Sequence, residues 1–143
     1  MRAYRFLDDI AIADVAFEAW GEDVADLFEA AALATFEVMV DLDRVEPSRE
    51  LEIRLRNGTL EGLLFDWLAE LIFLKDSEAM LFSRFQVEVG LEDEVYVLEA
   101  KIQGEPIDPE RHPMRQDVKA PTLHMFEVRQ ADHSWLARVV LDI

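Results

Sequence analysis

The sequence predicts a single α+β domain over residues 1–143, with two main helices and about seven strands in a largely antiparallel sheet. The length of 143 residues is typical of one domain, and 51% of the residues are hydrophobic, which is enough for a core. Two segments repeat apolar residues at helical spacing. The other apolar segments alternate with polar residues and lie in pairs around short turns, as the strands of β-hairpins do.

The first predicted elements are a strand and a helix. Residues 13–20 alternate between an apolar face and a face that carries Asp14, which is typical of a half-buried strand. Asp23 is expected to cap the first helix, because an aspartate side chain accepts hydrogen bonds from free backbone N–H groups. Apolar residues continue at helical spacing as far as Leu42.

A second strand and helix follow. Residues 51–55 alternate, and Thr59 is expected to cap a helix over residues 60–74. Apolar residues of this helix, among them Ile72 and Phe73, cover more than one stripe. This pattern predicts a core helix clasped by a sheet.

The second half of the chain is predicted to form two β-hairpins, separated by a loop that contains three prolines. The predicted pairs are residues 85–89 with 95–103, and residues 123–129 with 135–141.

The net charge of −17 favours cations or basic protein surfaces as partners and repels phosphate backbones. We therefore expect no direct binding of nucleic acid. The apolar stretch 60–74 is interrupted by acids and is shorter than the roughly 20 residues of a membrane span, so no membrane association is expected. No signal-peptide pattern opens the chain, and a cytoplasmic location is expected.

No catalytic motif is present, and the sequence predicts a protein that is not an enzyme. The chain has no cysteine, and His112, His124 and His133 are not spaced as a metal-ligand set. His124 falls in a strand pattern and is expected to be a satisfied structural histidine. His133 falls in a turn and is expected to be solvated, while His112 could be either.

The end of the chain is the most informative segment. Residues 139–143 form a hydrophobic strand pattern that continues to the last residue. If this strand is docked, the Asp142 side chain and the Ile143 α-carboxylate are fixed close together, and two fixed anions need a cation. Asp14 is the obvious third ligand, although a strand aspartate is more often simply solvated. Such oxygen ligands favour Ca²⁺ or Mg²⁺ at one site.

Five segments carry a recognisable pattern in order: residues 13–21; residues 31–39 with Val45-Glu46-Pro47; residues 60–71; Gly104-Glu105 with Ile107-Asp108 and His112, leading into Val118-Lys119-Ala120; and Leu141-Asp142-Ile143. Together these segments resemble the archease family, and the similarity covers nearly the whole chain.

The resemblance implies a protein cofactor that activates an RtcB-type 3′-phosphate RNA ligase in tRNA splicing and RNA repair. Archeases promote guanylylation of that ligase and its multiple turnover. The family's metal site, carried onto this chain, implies Asp14, Asp142 and Ile143 as ligands. Lys119 matches the lysine of the family's Lys-Ala motif and is either a functional residue that contacts the ligase or a solvated lysine.

The sequence also departs from the family pattern. Ala11-Ile12 stands where many archeases have His-Thr, which removes a polar neighbour of the metal. Pro121 and Leu123 replace a hydrophobic residue and a tyrosine, and Pro121 indicates an edge strand or a break in the ladder. Two other functions stay open: a small metal-dependent hydrolase that uses the same carboxylates, and a general chaperone or scaffold without metal dependence.

Overall fold

A computed structural model describes residues 3–7 and 14–143, which form seven strands and two α-helices. In chain order these are β1 (Ala3–Leu7), β2 (Asp14–Gly21), α1 (Val24–Met39), β3 (Arg49–Asn57), α2 (Leu60–Glu78), β4 (Met80–Glu92), β5 (Val95–Pro106), β6 (Ala120–Ala131) and β7 (Ser134–Asp142). The α+β class, the two helices and the antiparallel pairing are confirmed. Ala11, Ile12 and Ala13 lie outside the described residues.

The strands form two antiparallel sheets, where the sequence had suggested one. The first sheet has the order β1-β2-β7-β6 and the second has the order β3-β5-β4. Both helices lie between them, because α1 contacts β2 and β7 on one side and β4 on the other, while α2 contacts β6 on one side and β3 on the other. Each sheet therefore buries only one face, which explains why its strands alternate.

Helix α1 is the most buried element of the core. Small side chains such as Ala30, Ala31 and Ala34 are completely buried and allow both sheets to approach the helix backbone. The Asp23 side chain caps it by accepting from the Asp26 N–H at 2.7 Å, as predicted. The prediction that the helix reaches Leu42 is wrong, because the chain becomes extended at Val40 and Leu42 begins a separate 3₁₀ turn.

Helix α2 is buried on the sides that face α1 and the two sheets. The buried Trp67 donates from Nε1 to the carbonyl oxygen of Phe28 at 3.0 Å, which ties the two helices together. Thr59 caps the helix as predicted. The expected burial of Phe73 is wrong, since this side chain is exposed, whereas Lys75 is buried.

The proline-containing loop between β5 and β6 caps the C-terminal end of α1. Arg115 donates its backbone N–H to the carbonyl of Met39 at 2.8 Å and its Nη1 to the carbonyl of Glu37 at 3.0 Å. Gln116 donates its backbone N–H to the carbonyl of Val38 at 3.1 Å. A helix end has carbonyl groups without partners in the helix, and this loop satisfies three of them. The loop is therefore fixed on its way to β6.

Strand β1 is a short edge strand that the sequence did not reveal. Its five residues show no clear alternation, and two of them are exposed. It is held by pairing with β2 and by Tyr4, whose hydroxyl donates to Glu37 Oε2 at 2.6 Å. Burial and the neighbouring Glu37 carboxylate raise the pKa of Tyr4 above its ordinary value. Within the described part of the chain, no helix is long and apolar enough to cross a membrane.

Candidate metal site at the end of the chain

Asp14 and Asp142 stand directly opposite each other in the β2–β7 pair. On the far side of β7, Asp142 is opposite Ala120 of β6, so these residues form one row across three strands. Directly opposite residues of antiparallel strands project from the same face, with Cβ atoms roughly 4.5–5.5 Å apart. Val15, next to Asp14, packs against the core, so the two aspartates lie on the other face of the sheet.

Other charged residues on this face stand opposite residues of the opposite charge on the neighbouring strands. Arg5, Glu18, Arg138 and Glu127 form a single row of alternating sign across all four strands. Arg5 Nη2 lies 2.6 Å from Glu18 Oε1, and Arg138 Nη2 lies 3.0 Å from Glu127 Oε2. Cross-strand pairs of opposite charge stabilise a sheet, and like charges directly opposite each other destabilise it. The aspartate pair therefore contrasts with the rest of the face.

The last residue is held against the fold. Ile143 is half-buried and packs against the core, and β7 continues to the residue before it. The carbonyl of Asp142 accepts the backbone N–H of Lys119 at 2.8 Å. The main chain next to Ile143 is therefore anchored on both sides of β7. The Asp14 and Asp142 carboxylates are hard oxygen donors of the kind that Ca²⁺ and Mg²⁺ take.

Among the residues that the structure describes, Asp14 and Asp142 are the acidic side chains of this row. Among residues 3–7 and 14–143, no group of three or more His, Cys, Asp or Glu side chains is arranged to hold a metal. The third ligand that the family resemblance implies is the main-chain carboxylate of Ile143. The chemistry of the donors fits a hard divalent cation.

Lys119 lies beside this row, with its side chain exposed. The segment before it is fixed by Lys75, whose Nζ lies 2.6 Å from Asp117 Oδ1 and 3.1 Å from Asp76 Oδ1. The same amine donates to the carbonyl of Val118 at 3.4 Å. Sequence reasoning missed Lys75, although its position, four residues after the buried Leu71, is on the apolar stripe of α2.

A second polar cluster fixes the start of the same loop. The buried Glu105 carboxylate lies 2.9 Å from His112 Nε2 and accepts from the Glu46 backbone N–H at 2.7 Å. Arg111 Nη1 adds a contact at 2.7 Å. Burial alone would raise the pKa of Glu105, but the hydrogen bonds from Glu46, His112 and Arg111 outweigh it and lower the pKa to about 2.

The histidines have three different environments. The Asp108 backbone N–H donates to His112 Nδ1 at 2.9 Å, so this ring is a buried structural histidine with its proton on Nε2, facing Glu105. His133 is exposed in the β6–β7 turn, as predicted. His124 is exposed as well, so the expectation of a satisfied structural histidine is wrong. It lies in the part of β6 where the β6–β7 register is broken, and such a break changes the direction in which side chains project.

Comparison with known proteins identifies the fold and the family. The model of the archease protein family (MTH1598/TM1083) matches residues 4–143. The chain belongs to the archease family. It is 42% identical over 131 residues to protein archease of Methanopyrus kandleri, covering 92% of this chain and 94% of that one. It is 41% identical over 143 residues to protein archease of Methanothermobacter thermautotrophicus, covering 100% of both chains.

Solved archease structures have the same fold. The solution structure of protein 1598 of Methanobacterium thermoautotrophicum superposes with a TM-score of 0.87 at 41% identity and covers 98% of each chain. The crystal structure of a Thermotoga maritima archease, described as a possible chaperone, has a TM-score of 0.63 at 19% identity and covers 93% of each chain. The second likeness concerns the fold alone.

Proposed function

We propose that this archease is a non-enzymatic, metal-binding protein that activates an RtcB-type RNA ligase in tRNA splicing and RNA repair. One observation carries the proposal: Asp14 and Asp142 are paired across β2 and β7, next to the end of the chain. This geometry supports the ligand set Asp14, Asp142 and Ile143 that the family resemblance implies. Membership of the archease family supports the ligase as the partner.

The site residues act by binding a divalent cation at a fixed position. The two side-chain carboxylates and the Ile143 carboxylate bind one Ca²⁺ or Mg²⁺, which relieves the repulsion between anions on one face. A bound divalent cation supplies a positive centre for phosphate oxygens or for the ligase's own acidic groups. Lys119, which is exposed beside Asp142, adds a second positive group at the same edge.

The overall charge supports a protein partner. At −17, the chain is attracted to a basic protein surface and repelled by RNA, so its association with the ligase is accelerated electrostatically. The archease therefore acts on the ligase without itself binding RNA.

Neutralising either aspartate without changing its shape tests the proposal. Asp14→Asn and Asp142→Asn are expected to lower Ca²⁺ or Mg²⁺ affinity at least about tenfold, as measured by calorimetry on the chain alone, because each removes a charged ligand. Both are expected to abolish stimulation of ligase guanylylation. Asp132→Asn is a matched control, because Asp132 is exposed in a distant turn and asparagine tolerates its φ of 55°.

Three results separate this function from the other two. Full stimulation by Asp142→Asn would contradict the metal-site mechanism. A chaperone or scaffold, the description carried by the Thermotoga protein, would tolerate both substitutions. Hydrolysis of phosphoesters by the isolated chain with divalent metal, lost in Asp14→Asn, would instead support a hydrolase.

A further inference from the structure

Strand β6 contains a wide interruption in its pairing with β7. Thr122 pairs with Val140, and pairing resumes at Glu127 with Arg138. Four residues, 123–126, thus stand opposite a single residue of β7. We call these four residues the β6 bulge. Bulges redirect side chains and are frequent next to functional sites.

The β6 bulge displays large apolar side chains to solvent. Leu123 is 75% exposed and Met125 is 41% exposed, while Phe126 turns inward, with its ring centroid 5.7 Å from that of Phe65. Met125 has a φ of 54°, in the left-handed region that costs a residue with a side chain about 1 kcal/mol. A strained backbone therefore holds an apolar residue outward.

The bulge is held in this shape by Arg138 of the neighbouring strand. Its Nε donates to the carbonyl of Met125 at 3.1 Å, and its Nη2 contacts Glu127 Oε2 at 3.0 Å. These contacts fix the turn of the backbone at the residue with positive φ. The display of Leu123 and Met125 is thus a defined feature of the surface.

The bulge lies beside the candidate metal site. Leu123 is three residues after Ala120, which is opposite Asp142, and β6 is an edge strand of its sheet. A regular edge would invite another strand to pair, but the break in the ladder prevents this. Contact with a partner at this edge must therefore be made by side chains.

We propose that the β6 bulge is the surface on which the archease docks onto its partner ligase, with Leu123 and Met125 as apolar anchors. This inference rests on the proposed function. The complementary surface is an apolar recess in a basic protein surface, because the net charge of −17 repels acidic partners and nucleic acid. Docking here brings Asp14, Asp142 and Lys119 against the ligase.

Two substitutions remove the apolar side chains of Leu123 and Met125 and are expected to leave the protein folded. Leu123→Ser deletes an exposed apolar side chain, and Met125→Gly also relieves the left-handed strain, since glycine adopts this φ freely. Leu91→Ser and Asp132→Gly are matched controls: Leu91 is 63% exposed in the β4–β5 hairpin, and Asp132 has a φ of 55° in the β6–β7 turn.

The chain is titrated with the RtcB-type ligase from the same source, and the dissociation constant is measured for each variant. Leu123→Ser with Met125→Gly is expected to weaken binding about tenfold to a hundredfold. Ca²⁺ binding by the chain alone is expected to stay within about twofold of the unmodified chain, and saturating archease is expected to restore maximal guanylylation. The two controls are expected to bind normally.

Unchanged ligase affinity of the double variant overturns the docking surface while stimulation by the unmodified chain still upholds the proposed function. An equal loss in Leu91→Ser overturns it as well, because the effect is then not specific to the β6 bulge. If the unmodified chain neither binds nor stimulates the ligase, the proposed function fails, and the docking inference falls with it.

Discussion

Lys75→Met tests whether the buried amine of α2 fixes the segment that precedes Lys119. Only 3% of the Lys75 side chain is exposed, and its Nζ contacts Asp117, Asp76 and the carbonyl of Val118. Methionine has a similar length and keeps the apolar stem, so the substitution removes the three polar contacts and leaves little empty space.

The three contacts differ in what they contribute. The side chains of Asp117 and Asp76 are 74% and 66% exposed, so after the substitution water solvates them, and each ion pair is worth at most about 1 kcal/mol. The carbonyl of Val118, whose residue is buried, costs about 1–3 kcal/mol if it loses its donor. Removing the desolvation cost of a buried ammonium offsets part of this loss. We expect a net destabilisation of about 1–3 kcal/mol.

The assay is thermal unfolding at neutral pH together with Ca²⁺ titration well below the transition. A loss of 1–3 kcal/mol lowers the Tm of a domain of this size by about 3–9 °C. Ca²⁺ affinity is expected to fall as well, because Lys119 anchors the carbonyl of Asp142. Lys101→Met, at an exposed lysine of β5, is the matched control and is expected to change the Tm little. Equal Tm values for Lys75→Met and Lys101→Met would refute the reasoning.

Two further substitutions and one extension of the chain test other parts of the structure. Glu105→Gln is expected to destabilise the fold by about 2 kcal/mol at pH 7 in urea unfolding. The folded pKa of Glu105, about 2, lies below its ordinary value of 4.5, so this stability is complete above pH 4.5 and is lost as the pH falls towards 2. A difference from the unmodified chain that does not shrink over that interval would contradict the assignment. Gly104→Ala is expected to lower the free energy of unfolding by more than about 3 kcal/mol, since the added Cβ would overlap the backbone carbonyl oxygen of Leu81. Gly90→Ala, which has open space around the added Cβ, is the control in the same urea experiment. Adding one glycine after Ile143 moves the terminal carboxylate and is expected to weaken Ca²⁺ binding in calorimetry while leaving the Tm unchanged; unchanged Ca²⁺ affinity would remove this carboxylate from the site.

The periodicity of the sequence was sufficient to predict the presence of both helices and of the two C-terminal hairpins. Residues such as Phe17 and Ala19 alternate with polar residues because one face of β2 packs on the core. The same local information did not reveal β1, whose short sequence has no clear pattern. It also suggested one sheet where there are two, because the division into sheets depends on which strands pair across long distances in the chain.

The burial of charged side chains is the feature that the sequence pattern predicts least well. Phe73 and Lys75 are two residues apart on α2, and hydrophobicity alone predicts the opposite of their actual burial. Lys75 is buried because acceptors from residues 117 and 118, more than 40 positions away, surround its amine. A helical pattern contains no information about such acceptors.

The sequence by itself determined the acidic charge, the antiparallel α+β class and the presence of an aspartate next to the last residue of a hydrophobic strand. Only the tertiary structure decided that Asp14 stands opposite Asp142, that Lys119 is anchored to Asp142, and that Leu123 and Met125 face solvent. The physical reason is register: residues 128 positions apart become neighbours through the backbone pairing of β2 with β7, and a shift of one residue in that pairing would place the two carboxylates on opposite faces of the sheet.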